Sequence, residues 1–195
     1  MTAYQQPDID CQLCPRLVEF RRANQEKFPQ FYNGPVRPFG PINARLLIVG
    51  LAPGLKGANA TGRPFTGDYA GDLLYDTLKK FGFAKGTYDK RPDDGLELLD
   101  CRITNAVKCV PPENKPTGPE ANACRPFLIS EFAAMENLSA ILCLGQVAHQ
   151  AMLRTFGLKL SSLKFAHGAS HKMENGITLF DSYHCSRYNT QTYRL

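Results

Sequence analysis

The sequence predicts an α/β domain, a four-stranded parallel sheet with helices on both faces, three layers in all. Three observations predict it. Four short apolar runs recur along the chain, each with the length and make-up of a buried strand. Segments with helical periodicity separate them, so the order β-α-β-α-β-α-β reads as parallel strands joined by crossovers. The 195 residues suffice for one continuous core, read as a single domain over 1–195.

In order, residues 11–28 form a basic amphipathic helix, with Leu13, Leu17, Val18 and Phe20 among Arg16, Arg21, Arg22 and Lys27. Four prolines and two glycines make 29–43 irregular coil. The first strand is 45–51, around Leu46, Leu47, Ile48 and Val49, and it breaks at Gly50 into a loop rich in glycine and proline. Leu73, Leu74 and Leu78 predict a helix over 70–81, with Gly82 as its stop. The second strand is 98–107. A proline-rich connection follows and orders again near Cys124, with a helix over 126–138. The third strand is 140–144, its helix 146–156, and the fourth strand 177–182 follows a basic loop or hairpin over 158–176. Right-handed crossovers bring the strand carboxyl ends to one edge. There the sequence puts GLAPG, TNAVKC, GQ and HCSRYN, three of them rich in unusual polar chemistry.

Composition narrows the class. A hydrophobic fraction of 43% and a charged fraction of 21% are ordinary for a globular protein, and the formal charge of +5 is compatible with a polyanionic partner without demanding one. No apolar run approaches the ~20 residues of a membrane span, so no membrane partner is expected. The N-terminal segment lacks the pattern of a secretory signal, and seven cysteines then point to a reducing cytoplasm and to metal or redox use rather than disulfides.

Cys11 and Cys14 form C-x2-C, and Cys109 and Cys124 flank the proline-rich connection. Two such pairs suit tetrahedral zinc or a [4Fe–4S] cluster; proline next to Cys14 and close after Cys109 leans toward iron–sulfur. Cys101 and Cys143 read as small buried hydrophobes. Cys185 beside His184 suggests a nucleophile, but neighbours in an extended chain point to opposite faces and do not readily form a dyad.

The runs Gly50–Gly54 (GLAPG), Gly62–Asp68 (GRPFTGD), Thr104–Cys109 (TNAVKC), Pro111–Thr117 (PPENKPT) and Tyr183–Thr190 (YHCSRYNT), with the cysteine spacing, give the chain a resemblance. It resembles the iron–sulfur uracil-DNA glycosylases, and among them the type 5 branch. The resemblance covers nearly the whole chain, from Cys11 to about Thr190. It implies the four-stranded α/β/α fold, a [4Fe–4S] cluster on Cys11, Cys14, Cys109 and Cys124, and hydrolysis of the uracil N-glycosidic bond in DNA to leave an abasic site. Leu51 stands where type 4 enzymes carry a polar residue, as in the type 5 branch, whose members tend to accept other deaminated bases such as hypoxanthine. Cys185 and Ser186 stand after His184 where the family commonly has proline, a departure that bears on the shape of that loop.

With the resemblance, roles attach to residues. Phe65 stacks on a flipped base, Asn105 reads its edge, and His184 donates a hydrogen bond as the base departs. Gly50, Leu51 and Ala52 offer backbone to the base. Asp68 either positions the attacking water or caps the following helix, and one residue can do both. Arg187, Tyr188, Asn189, Lys108 and His167 are read as DNA contacts, with Lys115, Lys164, His171 and Lys172 beside them. The expected partner is DNA carrying uracil or another deaminated base, met by a monomer in the cytoplasm, at the nucleoid. Two other classes compete. A non-catalytic, metal-stapled nucleic-acid-binding module leaves Asp68, Asn105 and His184 without a task. A nucleotide-handling enzyme lacks both glycine-rich phosphate motifs.

Overall fold

The computed structural model describes residues 4–193 and 195. The elements are α1 (Pro15–Lys27), β1 (Leu46–Gly50), α2 (Ala58–Thr61), α3 (Tyr69–Lys80), β2 (Ala84–Lys85), β3 (Glu97–Leu98), β4 (Cys101–Asn105), α4 (Gly118–Ala134), β5 (Ala140–Leu144), α5 (Gln146–Thr155), β6 (Ser170–Lys172), β7 (Thr178–Ser182) and α6 (Arg187–Gln191). The main sheet runs β4-β1-β5-β7-β6. Its first four strands are parallel, as the alternation of strands and helices requires.

Among the described residues the sheet has five strands rather than four. β6 pairs antiparallel with β7, His171 opposite Leu179. It is short, polar and at an edge, so it carries none of the apolar pattern that marks a strand in sequence.

β1 shows why helices cover both faces. Ile48 packs with Leu74, Tyr75 and Leu78 of α3, while Leu47 and Val49 pack with Leu128 of α4 and Met152 of α5. Successive residues of a strand face opposite sides. An all-apolar run is therefore the signature of a strand buried on both faces. The chain leaves β1 for β4 on one side and reaches β5 on the other, so a crevice opens beyond the carboxyl end of β1, where such folds hold ligands.

α4 begins at Gly118, eight residues before the predicted Pro126. Thr117 and Glu120 form a capping box: the Thr117 amide donates to Glu120 Oε2 at 2.7 Å, and Thr117 Oγ1 accepts from the Glu120 amide. Pro119 sits in the first turn, where its missing N–H costs nothing. Cys124 thus lies on a helix rather than in coil. No described helix is long and apolar enough to cross a membrane.

Candidate active site

Gly50 ends β1 in register with Asn105 at the end of β4. A methyl group on Gly50 would overlap the Asn105 amide oxygen and come within 2.7 Å of the Phe65 ring, so these three residues meet only because Gly50 has no side chain. The Ala106 and Val107 amides donate to the Gly50 and Leu51 carbonyls at 2.9 and 3.0 Å, which joins the loops beyond the two strands.

Phe65 adopts a left-handed backbone (φ 52°), unfavourable for an aromatic residue. Its surroundings hold it there. Tyr88 Oη donates to the Phe65 carbonyl at 3.2 Å and accepts from the Gly67 amide at 3.4 Å. Nearby, Arg63 makes two 2.8 Å hydrogen bonds to Asp94, both side chains buried. Burial alone would raise the Asp94 pKa, but Arg63 and the Asp89 and Leu96 amides outweigh it and hold the carboxyl far below its ordinary range.

Asp68 is the N-cap of α3, with Oδ1 accepting from the Gly71 amide at 3.2 Å. Its Oδ2 points at Gly54 and Gly57, where an added methyl would come within 3.4 and 2.5 Å of it. One oxygen therefore caps the helix while the other faces the loop beyond β1. His184 follows β7, with its ring 5.7 Å from that of Phe65 and tilted 26°. Burial lowers the His184 pKa and the Asp68 charge only partly offsets this, so the imidazole is neutral near pH 7. The Asn189 amide holds the His184 carbonyl at 2.7 Å. Cys185 turns inward to the Ala70 carbonyl at 3.3 Å, and burial pushes its thiol up to about 12, which leaves no thiolate for nucleophilic attack.

Leu51, Ala52, Gly54, Phe65, Asp68, Asn105 and His184 line one cleft of about 300 Å³, joined by Ala58, Asn114 and Ser186. Asn114 was missed as a site residue. It lies in the PPENKPT run, where Glu113 and Asn114 both take left-handed backbone (φ 55° and 56°), a conformation asparagine tolerates better than most.

Cys11, Cys14, Cys109 and Cys124 line one small pocket between α1 and α4. The Lys108 amide donates to Cys124 Sγ at 3.3 Å, and Arg21 reaches both Cys109 Sγ (3.9 Å) and the Cys11 carbonyl (3.0 Å). Four cysteines lining one pocket are a donor set that suits a tetrahedral zinc or a [4Fe–4S] cluster.

Comparison with known proteins identifies the family. The family model described as the uracil DNA glycosylase superfamily matches residues 37–194. The chain is 41% identical to the type-5 uracil-DNA glycosylase of Thermus thermophilus, over 99% of this chain and 90% of that protein. It is 37% identical to that of Pyrobaculum aerophilum, over 96% and 83%. Against the type-4 enzyme of Archaeoglobus fulgidus it is 32% identical over 69% of this chain and 60% of that protein. The chain belongs to the uracil DNA glycosylase superfamily.

Among superfamily members this chain groups with the type 5 branch, as its loop motifs anticipate, and the enzyme reading stands with it. The residues read as DNA contacts fare unevenly. Lys108 is a correction: its side chain is buried, and Nζ bonds Thr104 and Glu131 (3.2 Å) instead of reaching solvent. Glu131, fully buried, also accepts from Arg102 at 2.7 Å and Thr104 at 2.8 Å, so the ammonium is paired inside the fold. His171 turns to Asp181. Asn189 is engaged with the His184 carbonyl. Arg187 lies over the Tyr69 ring at 5.2 Å, and Tyr188 is 61% exposed. His167 is exposed and stacks on Tyr183 at 5.1 Å.

Proposed function

We propose that this chain is a monomeric, single-domain, monofunctional DNA glycosylase that hydrolyses the N-glycosidic bond of uracil in DNA and leaves an abasic site. The observation that carries the reading is the cleft in which an acid, an amide, an imidazole and an aromatic face converge around Gly50. The relatives' names point the same way.

The target base must leave the stack, at a cost of a few kcal/mol that pocket contacts offset. Phe65 offers it an apolar face. Asn105 presents both donor and acceptor to its edge, and the backbone at Leu51 and Ala52 borders it. As the glycosidic bond lengthens, positive charge grows on the sugar and negative charge on the base. The neutral His184 donates an N–H to a base oxygen as that charge develops. Leu51 has no polar group to orient water, so Asp68, through the oxygen not engaged by Gly71, positions the attacking water and stabilises the cationic sugar. Asn114, at the cleft margin, adds a second amide. The same apolar loop leaves room for other deaminated bases, hypoxanthine among them.

Cys11, Cys14, Cys109 and Cys124, which line one pocket, would hold a [4Fe–4S] cluster, as four thiolates can. Such a cluster would staple α1 and α4 to the segment after β4; hydrolysis transfers no electrons and none is required. Arg187, Tyr188 and His167 serve as DNA contacts, setting affinity and salt dependence.

The test is incubation of brown, cluster-loaded protein with a uracil-containing duplex, then alkali and a gel. Strand scission at the uracil is expected. Its absence would overturn the reading, and a hypoxanthine duplex run in parallel tests the wider base range.

A further inference from the structure

A second cluster of ligating side chains lies away from the cleft and the cysteines. His149 comes from the first turn of α5, His171 from β6 and Asp181 from β7. His149 Nδ1 is 2.8 Å from Asp181 Oδ1, and His171 Nε2 is 3.3 Å from Oδ2. One atom from each of the three residues lies within 4.8 Å of the other two. His149 and Asp181 are buried, whereas the His171 side chain is 16% exposed and opens the group to solvent on one side. Two imidazoles and a carboxylate are a donor set that divalent transition ions favour.

The outer contact of His149 fits the same role. Its Nε2 lies 3.1 Å from the Leu163 carbonyl. A metal-bound histidine characteristically donates its second N–H to a carbonyl, which fixes the tautomer and aims the other lone pair at the ion. We propose that His149, His171 and Asp181 form a binding site for one divalent transition-metal ion of the Zn²⁺ class. The ion would tie α5 and the 158–172 segment to the strand that leads into His184.

The ion takes the place of the proton shared between His149 Nδ1 and Asp181 Oδ1, which passes to solvent, and it is bound by a neutral imidazole and a carboxylate. Ligand atoms on a tetrahedral ion with bonds of ~2.0 Å stand ~3.3 Å apart. The two contacts, 2.8 and 3.3 Å, fall on the two oxygens of Asp181, and the three ligand atoms lie within 4.8 Å of one another, so the side chains would close by up to ~1.5 Å around the ion. Water completes the shell from the side of His171.

The experiment is calorimetric titration of Zn²⁺ into the full chain with its cysteine site already loaded, joined to zinc K-edge absorption. One equivalent is expected to bind, with nitrogen and oxygen but no sulfur in its shell, and Zn²⁺ should raise the Tm. His171→Ala should weaken binding by at least about tenfold, since loss of even an outer-shell partner costs that much, and should abolish the Tm shift. His171→Gln, which keeps a polar side chain and lacks the imidazole lone pair, serves if the alanine variant fails to fold, with the same result expected. No binding at micromolar Zn²⁺, sulfur in the shell, or variants that bind as tightly as the wild type would each overturn the proposal. Base excision plays no part in the readout.

Discussion

The wall of the cleft that carries Phe65 and Asp68 is anchored by a buried ion pair and a buried hydroxyl, whereas the wall that carries His184 is held by neutral hydrogen bonds and the Arg187–Tyr69 stack at the surface. The first has the buried Arg63–Asp94 pair, the Tyr88 hydroxyl between Phe65 and Gly67, the Tyr75 hydroxyl on the Pro64 carbonyl at 2.5 Å, and Gly50 and Gly71 packed without side chains. The second has the Asn189 amide on the His184 carbonyl, the Cys185 thiol on Ala70 and the Ser186 cap of α6. Groups that position water and meet positive charge gain most from being fixed beforehand. The looser wall is the one a base has to pass. The Phe65 and His184 rings stand 5.7 Å apart, less than the ~7 Å that two stacking layers need, so no base fits between them and His184 is placed to meet a base at its edge.

The largest expected effect breaks the fixed wall at its chemistry. Asp68→Ala should slow single-turnover base release by ~10²–10⁴-fold, the range for a positioned acid–base group, while stability falls by only the ~1 kcal/mol of a lost cap. If DNA affinity and cleavage fell together, the side chain would be a cap and no more. Next is the anchor behind that wall. Asp94→Asn leaves Arg63 buried without its counter-charge and should cost ~3 kcal/mol or more in urea unfolding. A loss below ~1 kcal/mol would show that the Phe65 loop is held by other means.

On the looser wall, Asn189→Ala removes one hydrogen bond and should cost ~1 kcal/mol in the same unfolding experiment. A cost equal to that of Asp94→Asn would erase the contrast between the walls. The smallest effect is on pH. The folded-state pKa of His184 lies below its unfolded value, so the unfolded chain takes up a proton first as pH falls. Stability should therefore decline below pH 6.5, and His184→Ala should decline less over the same window. Identical slopes would mean that burial of the imidazole has no thermodynamic weight.

The parallel sheet and most of the cleft could be read from sequence because their signals are local. Four apolar runs announce strands buried on both faces, and the strand ends deliver Gly50, Asn105 and His184 to one edge by topology alone. Lys108 was misread for the opposite reason. Its partner, Glu131, lies on α4, and nothing near a lysine in sequence reveals a carboxylate brought to it by a helix crossing. The start of α4 was missed because prolines suggested coil, although Thr117 and Glu120 spell a capping box three residues apart. β6 stayed hidden because a three-residue polar edge strand is defined by its neighbour. Asp68 had two readings: the structure shows the cap through Oδ1, and Oδ2 faces the loop beyond β1.

Gly50 also bears on redesign. The smallest possible side chain there would overlap the Asn105 oxygen, so no variant library gains by including that position. Leu51, Ala52 and Ser186 border the same cleft without meeting that obstacle. If the cleft takes the base as proposed, they are the places to alter base preference one atom at a time, with Gly50 and Asn105 left intact.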